Sequence, residues 1–166
     1  MYFRIINSEG EEEMDLTTVE DTLNIQQLYA RYSDAITRKD PETFGSCWSD
    51  DAYWLLLGNE YRGKKTIVET YSSSVAGTDF ILHLASAPLI SINGDMAKVR
   101  SQVQEILHFS GGGGMILLAN YNDELQKVDG QWLFAERRIS VRYSGPFSMD
   151  DNSFMPLLPE ADKPFE

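Results

Sequence analysis

The second half of the chain most restricts what it can fold into. From residue 80 onward come four long runs, "FILHLASAPLISI", "MAKVRSQVQEILHF", "GMILLANYNDELQKV" and "QWLFAERRISVRY", each rich in β-formers. "NGD", "SGGGG" and "DGQ" separate them. Long apolar runs punctuated by Gly predict a meander of antiparallel strands joined by hairpin turns or flexible loops. The "GGGG" at 111–114 is not followed by Lys-Ser or Lys-Thr and opens no helix, so it reads as a hairpin tip and not as a phosphate loop.

The first half follows a different period. In "TTVEDTLNIQQLYARYSDAI", Thr18 with Asp21 three residues on forms a box-like N-cap. Ile25, Leu28, Tyr29, Tyr32, Ala35 and Ile36 then recur at helical spacing. In "DPETFGSCW", Asp40 caps a short second helix and Pro41 takes its first position. "DAYWLLLGNEYRG" reads as a strand and a turn, and "KKTIVETYSSSVAG" as a third helix closed by Gly77. Helices first and a strand meander after predict an α+β fold: a curved, antiparallel or mixed sheet with three N-terminal helices on one face, a cone around a pocket. The domain is expected over 18–146, with an N-terminal tail at 1–17 and an irregular, Pro-containing C-terminal tail at 147–166.

Composition narrows the partners. The chain has 166 residues, 42% of them hydrophobic, which suffices for one domain. A net charge of −12 argues against nucleic acid and against anionic membrane surfaces, both of which attract clustered Lys and Arg. No stretch approaches the ~20 apolar residues of a membrane span. The N-terminal 16 residues hold no apolar run of the signal-peptide kind, so a cytoplasmic location is expected. The single cysteine, Cys47, rules out an internal disulfide and has no basic cluster beside it to make a thiolate.

The words "IQQLYARYSDAITRKD", "WSDDAYWLLLGNEYRG" and "YNDELQKVDGQWLFAERRISVRYSG" resemble the SnoaL-like branch of the nuclear-transport-factor-two-like superfamily. The resemblance covers about Thr18 to Pro146. It implies a cystatin-like α+β cone with an apolar lining. It also implies cofactor-independent lyase or isomerase chemistry, of dehydratase, cyclase or double-bond isomerase type, on a small apolar cyclic molecule, with no metal. Several relatives pair a His with an Asp for an elimination. The resemblance places the dyad His on His83, a second pocket His on His108, a pocket Tyr on Tyr32 and a pocket Arg on Arg142. The dyad Asp position holds Thr37.

On a wheel of 100° per residue with Asp34 at zero, Ile25, Tyr29, Tyr32 and Ile36 fall between about 160° and 220°. Asp34 is therefore expected in water, and Thr37, at about 300°, on the flank. A carboxylate from elsewhere, Asp51, Asp123, Glu105 or Glu136, is the expected substitute for the missing dyad acid. Strict alternation turns Tyr121 away from Asn120 and Asn122, giving it a ligand-facing or a core role. It also groups Arg138 and Arg142 with Trp132 and Phe134, and sends Arg137 to the other face. Tyr53 joins Trp48 and Trp54 as apolar lining. Two His residues make a poor catalytic metal site, which needs about three protein ligands. Three readings stand together: a lyase or isomerase worked by His83, a non-catalytic ligand-binding or accessory domain, and a structural partner like the β-subunit of ring-hydroxylating dioxygenases. A homodimer through the outer sheet face fits either of the first two.

Overall fold

The structure is a computed structural model that describes residues 16–148. Nearly all of both expected tails lies outside the described residues. The chain runs α1 (Leu16–Arg38), α2 (Pro41–Ser46), β1 (Trp48–Leu56), β2 (Asn59–Arg62), α3 (Lys64–Val75), β3 (Thr78–Ala85), β4 (Leu89–Asn93), β5 (Met96–Phe109), β6 (Gly114–Val128) and β7 (Gln131–Phe147).

Helix α1 buries Ile25, Leu28, Tyr29, Tyr32, Ala35 and Ile36 against the sheet, and Asp34 points to water beside Arg38. The box-like cap does not form. Thr18 lies inside the helix, and its carbonyl accepts from the Thr22 hydroxyl. Asp21 is buried instead, accepting from the Trp132 indole at 2.9 Å and the Lys127 ammonium at 2.7 Å. Those long-range donors outcompete a local cap. Asp40 does cap α2, accepting from the Glu42 and Thr43 N–H groups. Helices α2 and α3 then pack together through Phe44 and Tyr71, whose rings stack at 3.9 Å.

The seven strands form one curved, open sheet in the order β2-β1-β7-β6-β5-β3, with β4 also paired to β5. Only β1 and β7 pair in parallel, so the sheet is mixed. Two expected strands are split. "DAYWLLLGNEYRG" is a hairpin whose two-residue turn, Leu57 and Gly58, has positive φ at both positions. "FILHLASAPLISI" breaks at 86–88, where Pro88 has no N–H to give a ladder.

Two β-bulges in β7 decide which residues face the helices. Glu124 pairs with Glu136 and Leu125 with Phe134, so Ala135 is an extra residue. Past it the facing reverses. Arg137, not Arg138, shares the helix-side face with Trp132 and Phe134, and is wholly buried. A second extra residue is Arg142, between the pairs Ala119–Val141 and Leu118–Tyr143. This corrects the assignment by plain alternation. One inserted residue moves every later side chain to the opposite face.

Candidate functional site

The core is a wall of aromatic rings, Tyr29, Tyr32, Phe44, Trp48, Tyr121 and Phe134, between the helices and the sheet. Arg137 lies inside it. The guanidinium carbon sits 3.8 Å from the centre of the Tyr121 ring and 3.9 Å from that of Phe134. Its Nε and Nη2 donate to the two oxygens of Asp123 at 2.9 and 2.7 Å. The Tyr29 hydroxyl donates to the same carboxylate. The remaining Nη1 has no hydrogen-bond partner among the described residues. A bidentate, ring-covered ion pair keeps a fixed positive charge under the site.

His83 comes from β3 and lies on the same face, its side chain fully covered. Both ring nitrogens meet hydroxyl groups: Nδ1 lies 3.1 Å from Ser33 Oγ on α1, and Nε2 lies 3.0 Å from the Tyr121 hydroxyl on β6. Its cross-strand partner is Glu105 on β5, and Glu105 Oε1 lies 3.8 Å from Nε2. Burial, with the charge of Arg137 adding to it, pushes the imidazole down to about 3, so it stays neutral at ordinary pH. Burial pushes Glu105 up to about 7, against the opposing charge of Arg137. Burial also raises the Tyr121 phenol, which stays un-ionised. One neutral imidazole and one carboxyl titrating near neutrality stand side by side over a fixed cation. Such a set can accept and return protons near pH 7.

The same face of the sheet around Glu105 is apolar. Leu117 on β6 pairs with Glu105 and Leu107 lies one step further out on β5, while Ile139 and Val141 on β7 pair with Tyr121 and Ala119 on the Arg137 side; Leu117 is 4% exposed and Val141 39%. On the other side of the imidazole a cleft of about 370 Å³ opens between α1 and the end of β3, lined by Gln26, Ala30, Ser33, His83, Ala85 and Pro88. That volume falls within the range of small-molecule sites. Among the described residues no three His, Cys, Asp or Glu side chains converge as metal ligands would.

The structure brings together part of the residue set expected from sequence. His83, Tyr121, Tyr32 and Thr37 meet. The Tyr32 ring packs edge-on against the imidazole with centres 5.6 Å apart. Thr37 touches the histidine but not its ring: its hydroxyl accepts from the His83 backbone N–H at 3.2 Å. The imidazole is met one turn earlier on α1, by Ser33. The other three expected residues lie elsewhere. His108 pairs with Phe80 and is three residues from Glu105 on β5, so it occupies the opposite face, where Nδ1 is 2.6 Å from Asp79. Tyr53 lies between the Arg62 and Arg138 guanidiniums, 4.5 and 5.1 Å from its ring centre. Arg142 is exposed at its bulge. Ser33 and Arg137 were missed as site residues, and Glu105 was one of four undistinguished acids. Cys47 is buried and its thiol is pushed up to about 11 by that burial, which leaves it unreactive.

Comparison with known proteins agrees with this architecture. Gamma-hexachlorocyclohexane dehydrochlorinase of Sphingobium indicum is 24% identical over 144 residues, spanning 81% of this chain and 88% of that one. A hexachlorocyclohexane dehydrochlorinase of Novosphingobium barchaimii superposes with a TM-score of 0.76 at 21% identity, over 87% of this chain and all of the other. A Mycobacterium tuberculosis protein of unknown function superposes with a TM-score of 0.69 at 29% identity, over 82% of this chain and 83% of the other. The profile of the SnoaL-like domain matches residues 17–138, and the chain belongs to that family.

Proposed function

We propose that this protein is a cofactor-independent lyase or isomerase that moves protons on a small, mostly apolar cyclic molecule. The observation that carries the reading is the buried polar group of His83, Tyr121 and Glu105 set within an apolar wall. The ring system of the substrate would lie against Leu107, Leu117, Ile139 and Val141, with its reacting carbon toward Glu105 and His83. Tyr121 would hydrogen-bond a substrate oxygen or stay with the imidazole, and Tyr32 and Thr37 would hold His83 in place. Relatives named as dehydrochlorinases make elimination the first reaction type to test. The lack of a carboxylate on α1 near the imidazole means that their His–Asp arrangement does not carry over to Thr37.

A second reading, a ligand-binding domain without chemistry, is favoured by one feature: both imidazole nitrogens already meet hydroxyl partners. Exposed Leu84, Leu118 and Tyr143 lie on the outer sheet face and support a homodimer there on either reading.

The test is a binding and turnover screen of chlorinated alicyclics, cyclic ketones, dienols and hydroxylated steroids, with wild type beside His83→Ala and thermal melting as the fold control. Turnover by wild type, with binding but a large loss of turnover in the variant, supports the lyase or isomerase. Equal binding by both with no turnover leaves the binding domain.

A further inference from the structure

In a His–Asp elimination the imidazole takes the proton and the carboxylate orients it. The geometry of this chain points to the opposite division of labour, and the inference rests on the lyase or isomerase reading above. We propose that Glu105 is the catalytic base, taking the proton from the substrate carbon, and that His83 is a neutral positioning residue beside it.

Three observations carry the assignment. Access comes first: the Glu105 side chain is 19% exposed and the His83 side chain 0%, so the glutamate side chain is the more open of the two to an incoming molecule. Engagement comes second. Nδ1 and Nε2 of His83 are each within 3.1 Å of a hydroxyl, whereas Glu105 makes no hydrogen bond with a described residue. A base must have its lone pair free for the proton it abstracts. Third is the source of basicity. A carboxylate at Nδ1 would make the imidazole a stronger base, and Ser33 stands there instead. The groups whose charges meet around Glu105 come from every element that packs on it: Tyr32 of α1, Tyr71 of α3, His83 of β3, Tyr121 and Asp123 of β6, and Arg137 of β7. Only Arg137 among them carries positive charge, and Asp123 holds it in a bidentate pair. The burial that raises Glu105 and lowers His83 favours the same roles: it makes the carboxylate the more basic of the two.

The step balances without a further reactant. The C–H bond of the substrate breaks and its proton joins a Glu105 oxygen. The electron pair of that bond becomes the new π bond, and the leaving group departs from the neighbouring carbon with its own bonding pair, as chloride would. Glu105, now a neutral acid, returns the proton to water.

Two measurements test the proposal. The first needs no substrate. Carbon-13 NMR titration of the glutamate side-chain carboxyls, with Glu105→Gln to assign the signal, should show one midpoint near 7 that is missing from the variant. Long-range nitrogen-15 spectra should show the His83 ring neutral from pH 5 to 8. Titration of His83 near 6.5, or of Glu105 near 4.5, overturns the proposal. The second uses any compound the screen finds to be turned over. Glu105→Gln should lower kcat by about 10²-fold or more with KM little changed. The acid limb of wild-type kcat/KM near pH 7 should vanish. His83→Gln, which keeps a hydrogen-bonding side chain, should lose about tenfold or less, the scale of one neutral hydrogen bond. A loss in His83→Gln as large as in Glu105→Gln, with the limb unchanged in the glutamine variant of Glu105, overturns it. Absence of wild-type turnover on every compound defeats the lyase or isomerase reading itself, and the titration then decides separately which group is the basic one.

Discussion

Replacing Arg137 by Met removes the one positive charge in a wholly buried cluster. Asp123, buried and 3% exposed, would lose two charge-assisted hydrogen bonds and keep only the Tyr29 hydroxyl. Stranding one member of a buried ion pair costs about 3–5 kcal/mol. Methionine fills much of the space between the Tyr121 and Phe134 rings, so the cavity contribution should be small. At about 2–4 °C per kcal/mol for a chain of this size, Tm should fall by roughly 6–20 °C. Asp123→Asn strands the arginine in turn. The double variant strands neither charge, so it should be more stable than the sum of the single losses implies, by at least about 2 kcal/mol. Urea denaturation of the four proteins gives the cycle, provided the slopes with denaturant agree. Additive losses, or an Arg137→Met loss under about 1 kcal/mol, would refute the claim that this pair is buried, dry and mutually dependent.

Three further outcomes follow from the same geometry. Glu105 titrates higher in the folded state than its ordinary 4.5, so the folded protein holds the proton that the unfolded chain releases, and stability falls as pH rises from about 4.5 to about 7. A span of about 2.5 pH units gives roughly 3 kcal/mol, and denaturation curves of Glu105→Gln should lack that fall. Tyr121→Phe deletes the partner of a buried imidazole nitrogen and should cost about 1–3 kcal/mol, read by thermal and chemical unfolding. Inserting one alanine between Glu136 and Arg137 shifts the rest of β7 by one position, sending Arg137 outward and Arg138 into the core; circular dichroism should show no cooperative melt.

The helical half of the molecule was readable because its signals are local. The 3.6-residue spacing of Ile25, Tyr29, Tyr32 and Ile36 named the buried face of α1, and Asp40-Pro41 named the start of α2. The strand meander and the mixed α+β architecture were readable from the long runs and their turns. What failed was whatever depended on register. Alternation counts by twos and cannot see an extra residue, so the bulge at Ala135 hid Arg137, the most buried charge among the described residues. The same rule could not choose Glu105 from four acids, because only the pairing of β3 with β5 sets it opposite His83. Ser33 and Thr37 are one turn apart on α1, and both hydroxyls reach His83. Which of them meets the ring and which the backbone is a matter of helix placement that no local pattern records. The cap at Thr18 failed because Lys127 and Trp132, more than a hundred residues away, claim Asp21.

The central claim is that the group around Glu105 and His83 moves a proton between a bound carbon and water without a cofactor. The most direct test is to incubate chelator-treated protein with the chlorinated alicyclics and cyclic ketones in deuterium oxide, and to follow both product and deuterium uptake at carbon by NMR. The account predicts product or exchanged substrate with wild type, and neither above the background rate with the double variant His83→Ala, Glu105→Gln. Wild type and double variant behaving alike, while the same compounds bind to both, would contradict it.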